Sequence, residues 1–356
     1  MKGPCVESTK NEDRKEEAMV TERPAEVLEA GNYWTTDSDS DLETEGTHGL
    51  GELIRDTLYL ESCQAHSVVP VSCFLRQASA SELNLRHRGL GPQGAQALVS
   101  TLTSNPYIKR LDLRDNGLFG TGAEALADVL SKNSSISDVD LSENKLGVAG
   151  FQAICRALAL NPAVQKMQLA GNDLEEQAAQ HLADLLMVHT GLKSLDLSYN
   201  QLNDLAGETL GPALAENTGL TELNLSWNHL RGPGAVVLAR SLEANIFLKI
   251  LDISYNGFGD PGASAVGEAL KANNVLEELN MSNNRISRVG ALRLGLGLQV
   301  NQTLKILIDI QVNREFEELA SSVKVILPGL CIKTGAFKNK EWLPAFKPSP
   351  PASVPK

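Results

Sequence analysis

The sequence predicts an α/β solenoid: strand–turn–helix units of 28 residues, stacked so that strands form a parallel inner sheet and helices the outside of a horseshoe. Three observations carry that prediction. Asparagine recurs at 116, 144, 172, 200, 228, 256 and 284, always 28 residues apart. An apolar-x-apolar pair precedes each one, from Leu111 and Leu113 to Leu279 and Met281. A leucine column, Leu102, Leu130, Leu158, Leu186, Leu214, Leu242, Leu270 and Leu298, keeps the same period, with an apolar partner four residues earlier in each copy. Alternation marks the first half of the unit as strand, and the i, i+4 pair marks the second half as helix.

Taken along the chain, residues 1–50 come first, with 13 acidic and 5 basic side chains and a run Asp37-Ser38-Asp39-Ser40-Asp41. Low apolar content and high charge predict a disordered acidic leader. Ser38 and Ser40, with Asp41 and Glu43 three positions on, are candidate phosphorylation sites for an acidophilic kinase. Residues 51–82 are expected to be an N-terminal capping repeat. Leu58-x-Leu60-x-x-Cys63 copies the strand motif with Cys63 in the asparagine position, and a helix is expected near Val71–Gln77. Eight repeats fill 83–303. The first has Arg88 where asparagine belongs. Asn105, Asn133, Asn161, Asn217, Asn245, Asn273 and Asn301 close the helices, with His189 as the one substitute. Small residues near each helix start, such as Gly234, are expected to let helix approach strand. Residues 304–333 are expected to form a C-terminal cap, with helical spacing at Phe316, Leu319, Ala320, Val323 and Leu327 and a short strand at Leu330–Ile332. A basic, proline-rich tail occupies 334–356.

Composition narrows the function. The net charge of −12 argues against nucleic-acid binding. No run of apolar residues is long enough to span a membrane. The segment MKGPCVESTKNEDRKEE has no apolar leader, and five scattered cysteines suit a reducing, cytoplasmic setting. No nucleotide-binding, zinc or nucleophile motif occurs, so no enzyme activity, cofactor, metal or catalytic residue is expected. Cys155 lies in a column of small residues and reads as core.

The binding candidates follow from strand alternation. The central x of each pair is polar throughout and includes Asp196, Asn224 and Asp252. One reading is a solvated face with side chains bonding between neighbours, the other an acidic stripe for a basic partner. Two positions on, Arg86 and Arg114 stand against a run of small residues. One further, Tyr199, Trp227 and Tyr255 fall in successive repeats of a protein with only 4% aromatics. They are expected to line up along the sheet edge, either as structural cover or as an interface hot spot. The structural ladder is expected to comprise Cys63 and the seven periodic asparagines.

The pattern L-x-x-L-x-L-x-x-N-x-L, with L-D-L-S-Y-N-Q-L at 195–202 and G-A-x-A-L-A-x-x-L at 122–130, resembles the ribonuclease-inhibitor-type leucine-rich repeats. Within them it looks most like the leucine-rich repeat-containing protein 74 group. The resemblance covers roughly 58–330. It implies a non-catalytic scaffold, expected to be a monomer, that binds a protein partner on its concave face. Two alternatives come from the same class. One is a GTPase activator resembling the Ran-activating members, for which Arg86 and Arg114 are the nominees; but those members carry their acidic stretch after the repeats, whereas here it precedes them. The other is a nuclease inhibitor, suited by an acidic inner face but not by five cysteines and a single repeat type.

Overall fold

The computed structural model describes residues 45–77, 79–308 and 331–333. After two helices, α1 (Glu45–Ala65) and α2 (Ser72–Gln77), strand and helix alternate from residue 82 to residue 308. The strands are β1 (Glu82–Asn84), β2 (Arg110–Asp112), β3 (Asp138–Asp140), β4 (Lys166–Gln168), β5 (Ser194–Asp196), β6 (Glu222–Asn224), β7 (Ile250–Asp252), β8 (Glu278–Asn280) and β9 (Ile306–Ile308). Between them lie α3 (Gly91–Thr103), α4 (Phe119–Lys132), α5 (Gly147–Leu160), α6 (Ala178–Val188), α7 (Asp204–Glu216), α8 (Gly232–Ala244), α9 (Gly259–Ala272) and α10 (Arg288–Leu298). A last strand, β10 (Cys331–Lys333), pairs with β9.

Every neighbouring pair is parallel, and sheet order is sequence order. From β1 to β9 the register advances by one 28-residue period per strand: Leu83 opposes Leu111, Leu195 opposes Leu223, and Leu279 opposes Leu307. The inward side chains of the strands and the leucines of the helices form one continuous core. Strands sit about 4.8 Å apart whereas helices are about 10 Å wide, which makes the sheet the inner, concave side of the stack.

Two asparagine ladders tie the turns together. At the strand ends, the Asn228 amide donates to the carbonyls of Leu197 and Leu225, and its Oδ1 accepts from the Leu202 N–H. Asn116, Asn144, Asn172, Asn200, Asn256 and Asn284 make the same carbonyl contact one repeat back. At the helix ends, Asn245 donates to Leu214 O and accepts from Phe247 N and Leu248 N. His189 fills that role with an imidazole. Its Nε2 faces the Asn161 carbonyl at 3.2 Å, and its Nδ1 accepts from Leu192 N at 3.0 Å. That pair of contacts requires the neutral ring with the proton on Nε2. Burial pushes its pKa below the usual histidine value.

Three expectations are corrected. The Leu58–Cys63 segment is helix, not strand: it belongs to α1, which also crosses the boundary drawn at residue 50. Tyr59 and Cys63, four residues apart, are buried on one face of α1, whereas Leu58 and Leu60 are exposed. The Tyr59 ring packs on Phe74 of α2 at 4.2 Å, and its hydroxyl accepts from Val71 N. Cys63 therefore packs as a core thiol and is not part of the asparagine ladder. Second, the close approach at Gly234 is helix to helix: a Cβ there would run into the Asp204 carbonyl at the start of α7. Third, the terminal strand is Cys331–Lys333, one residue beyond the expected Leu330–Ile332. The expected helix around Phe316–Leu327, the acidic leader with Ser38 and Ser40, and the tail lie outside the described residues.

Candidate functional site

The backbone at the end of each strand decides which side chains reach the sheet face. The residue before each ladder asparagine has positive φ in every repeat, from His87 (57°) and Asp115 (51°) to Tyr199 (55°), Trp227 (54°), Tyr255 (52°) and Asn283 (57°), with Gly171 at 65°. Bulky residues rarely adopt this left-handed region. Here the N–H of each from His87 to Tyr255 bonds to the carbonyl of the next repeat, as Trp227 N does to Ser254 O at 3.0 Å, so the sheet imposes the geometry. The result is a single row of side chains along the strand ends.

In that row the aromatics stack. Tyr199 and Trp227 have ring centroids 5.2 Å apart at 11°, and Trp227 and Tyr255 4.0 Å apart at 10°. Tyr199 stays 46% and Trp227 40% exposed. Their neighbours Ser198, Ser226 and Ser254 are buried.

The polar column is neither freely solvated nor a rim beside the rings. Asp112, Asp140, Asn224 and Asp252 are buried, and Asp196 is partly buried. Each of the five accepts a hydrogen bond from the backbone N–H two residues on, as Asp196 Oδ1 does from Ser198 N at 2.9 Å and Asn224 Oδ1 from Ser226 N at 3.0 Å. These are Asx turns that shape the exit from each strand. Asp252 also accepts from Ser254 Oγ and from the Asn280 amide. Burial pushes Asp196 up to about 6, helped by the charges of Asp252 and Asp140. Burial likewise raises Asp140 and Asp252.

The two ends of the face differ. Arg86 pairs with Asp112 at 2.7 Å and reaches Asp140 at 3.4 Å. Arg114 pairs with Glu143, Arg110 with Asp138, and His87 Nδ1 lies 2.7 Å from Asp115. The N-terminal end is thus a net of internal ion pairs, and both nominated arginines are committed to it. From β5 to β8 the outward columns hold Asp196, Glu222, Asp252 and Glu278 and no basic side chain. Glu222 Oε2 is buried without a hydrogen-bond partner.

A family model described as Leucine Rich repeat matches residues 104–127, 189–211, 216–239, 244–267 and 272–295, in phase with the strands and helices above. The units it matches are leucine-rich repeats. Leucine-rich repeat-containing protein 74B from Mus musculus is 70% identical over 110 residues, 31% of this chain and 28% of that protein. The protein of the same name from Homo sapiens is 70% identical over 111 residues, again 31% and 28%. The matched stretch therefore spans less than a third of either relative. Among solved structures, Leiomodin-1 Actin-Binding Site 2 aligns at a TM-score of 0.37 and 20% identity, covering 43% of this chain and 88% of its own. The tropomodulin C-terminal domain of Caenorhabditis elegans aligns at 0.36 and 19%, covering 42% and 92%.

Beside the aromatic row, the leucine-rich repeats leave a polar cleft of about 550 Å³ between the loops that follow β4, β5 and β6, lined by Glu175, Glu176, Gln201, Asn203, His229 and Arg231. Sequence reasoning missed it. Its only signal is the break at Glu175–Gln177, where α6 starts late, at Ala178. Among the described residues no group of three or more His, Cys, Asp or Glu is placed to hold a metal, and no helix is long and apolar enough to cross a membrane. Cys155 is buried, which raises its thiol pKa and suits packing.

Proposed function

We propose that this chain is a non-catalytic protein-interaction scaffold that acts as a monomer and grips a protein partner on the sheet face of its fifth to seventh repeats. One observation carries the reading: three aromatic rings, stacked and about 40% or more exposed at Tyr199 and Trp227, on backbone that fixes them without a folding partner above them. Rigid rings lose little entropy on binding, and Trp and Tyr are enriched where interfaces hold most tightly. Asp196, Asn224 and Asp252 serve the site by fixing the strand exits beneath the rings rather than as a polar rim. Arg86 and Arg114 contribute to the internal charge net, which weakens the GTPase-activator alternative: a charge offered in trans needs a free guanidinium.

The test is capture. Proximity labelling in cells that express the protein identifies a main partner, and the Tyr199→Ala, Trp227→Ala, Tyr255→Ala triple variant, with folding confirmed by circular dichroism, is expected to lose it. Undiminished capture by the triple variant, with loss in the Arg86→Ala, Arg114→Ala variant, places the site at the other end and overturns the proposal.

A further inference from the structure

The aromatic stack ends on one side at a position without a side chain. Trp227 is sandwiched, one face on Tyr199 and the other on Tyr255. Beyond Tyr255 the row continues with Asn283. Beyond Tyr199 it is interrupted by Gly171, after which come Glu143, Asp115 and His87. Gly171 is the single position in this row without a side chain.

Its strand lies between those of Glu143 and Tyr199, with Glu143 N bonded to Ala170 O and Gly171 N to Ser198 O. Two strand spacings, about 9.6 Å, separate the flanking backbones. That leaves room for one planar group between the ring and the carboxylate. The three atoms nearest to a Cβ at Gly171 all belong to Glu143, the first at 3.3 Å, so the Tyr199 side of the gap stands wider. Glu143, 43% exposed, carries a carboxylate at one wall; Arg114 takes its Oε1 and leaves Oε2. At the other, burial raises the Tyr199 phenol's pKa, and after Tyr255 the nearby charge of Asp196 adds to it; Asp196 has no ion pair among the described residues.

Resting on the reading of the aromatic row as an interface, we propose that the Gly171 notch is a receptor for an arginine side chain of the protein partner. The guanidinium stacks on the free face of Tyr199 as a fourth layer and bonds to Oε2 of Glu143, the carboxylate oxygen that Arg114 does not take. Charge complementarity selects this occupant: the adjoining face from β5 to β8 has acidic and no basic outward side chains. Shape selects arginine over lysine, because a flat cation fills one stacking layer and donates in a fork toward a carboxylate.

Filling the notch tests it. Gly171→Tyr puts in this row the residue that it already holds at 199 and 255 with similar φ, so the fold is expected to survive, checked by circular dichroism. Gly171→Asn, a smaller side chain tolerant of positive φ, serves if it does not. A displayed library of 12-residue peptides is selected on the wild-type full chain, and each enriched peptide is retested on the notch-filled variant and on the triple-alanine variant. Each arginine is also replaced by citrulline, which keeps the shape and removes the charge. The expected result is enrichment of arginine-bearing peptides that weaken roughly tenfold on citrulline replacement and on filling the notch. Peptides that need the aromatic row but no arginine, or arginine peptides indifferent to Gly171→Tyr, overturn the notch while leaving the interface reading intact. Absence of any peptide that depends on the row counts against both.

Discussion

Replacing Leu214 with alanine removes a side chain 1% exposed at the centre of the stack. Leu214 projects from α7 among Leu182, Leu186, Leu197, Leu210, Leu223, Leu225 and Leu238, which already enclose a void of about 10 Å³. Three carbons leave the core, at about 0.8 kcal/mol each, for roughly 2.4 kcal/mol. The neighbouring leucines hang from two adjacent strands and three consecutive helices whose spacing the two asparagine ladders fix, so the walls collapse little. A residual cavity of roughly 80 Å³ adds about 2 kcal/mol at about 24 cal/mol per Å³. The expected loss is therefore about 3–4.5 kcal/mol by urea unfolding, against a change within about 0.5 kcal/mol for Glu208→Ala on the exposed face of the same helix. Because each repeat contacts only its neighbours, hydrogen exchange is expected to speed up first at the amides of β5, β6 and β7, and later at β1 and β9. A loss below about 1 kcal/mol refutes the assignment of this column to the core. An equal acceleration at every strand refutes nearest-neighbour coupling.

The remaining expectations concern buried polar groups. His189 has a folded-state pKa below its unfolded value, so the unfolded chain binds the extra proton, and stability present at neutral pH is lost as pH falls below about 6.5. His189→Asn restores the residue found at the seven other helix ends and is expected to flatten that acid limb, read as the thermal midpoint between pH 5 and 7.5. Asp196 has the opposite sign: its pKa rises to about 6 on folding, so the native chain holds the proton longer, and stability falls as pH rises from about 4 through 6. Asp196→Asn keeps the acceptor for Ser198 N, as Asn224 does for Ser226 N, and is expected to raise stability at pH 7 by up to about 3 kcal/mol. Gly234→Val forces α7 and α8 apart and is expected to cost at least about 1–3 kcal/mol in the same unfolding assay.

The register of β1 to β9 was legible because one residue type at one spacing has a physical duty: an amide that must reach a carbonyl 31 residues back in every copy. The aromatic row was legible for the same reason, since a shared phase puts Tyr199, Trp227 and Tyr255 in line. The N-terminal cap was not. Leu58-x-Leu60-x-x-Cys63 matches the strand motif by spacing, but a single copy has no neighbouring copies to confirm its phase. The i, i+4 pair Tyr59 and Cys63, with no glycine or proline between Glu52 and Ala65, was the competing helical signal. The acidic column was half legible. Composition gives its charge, but an aspartate that bonds to the N–H two residues on and one that faces water look alike in sequence. The hydrogen bonds of Asp140, Asp196 and Asp252 distinguish them.

The division of the sheet face into two halves has an energetic reason that bears on where a partner docks. In the N-terminal half each arginine lies among carboxylates of the next strands. A partner there has to displace Arg86 from Asp112, whose own side chain is 2% exposed, and so leave a buried charge unpaired. In the C-terminal half Asp196 and Asp252 form no ion pair among the described residues, and serine in place of arginine keeps the rings uncovered. Docking there desolvates rings that are already stacked and breaks no ion pair of Asp196 or Asp252. The same sheet thus resists association at one end and favours it at the other, and the change falls at Gly171, between the last internal ion pair and the first ring.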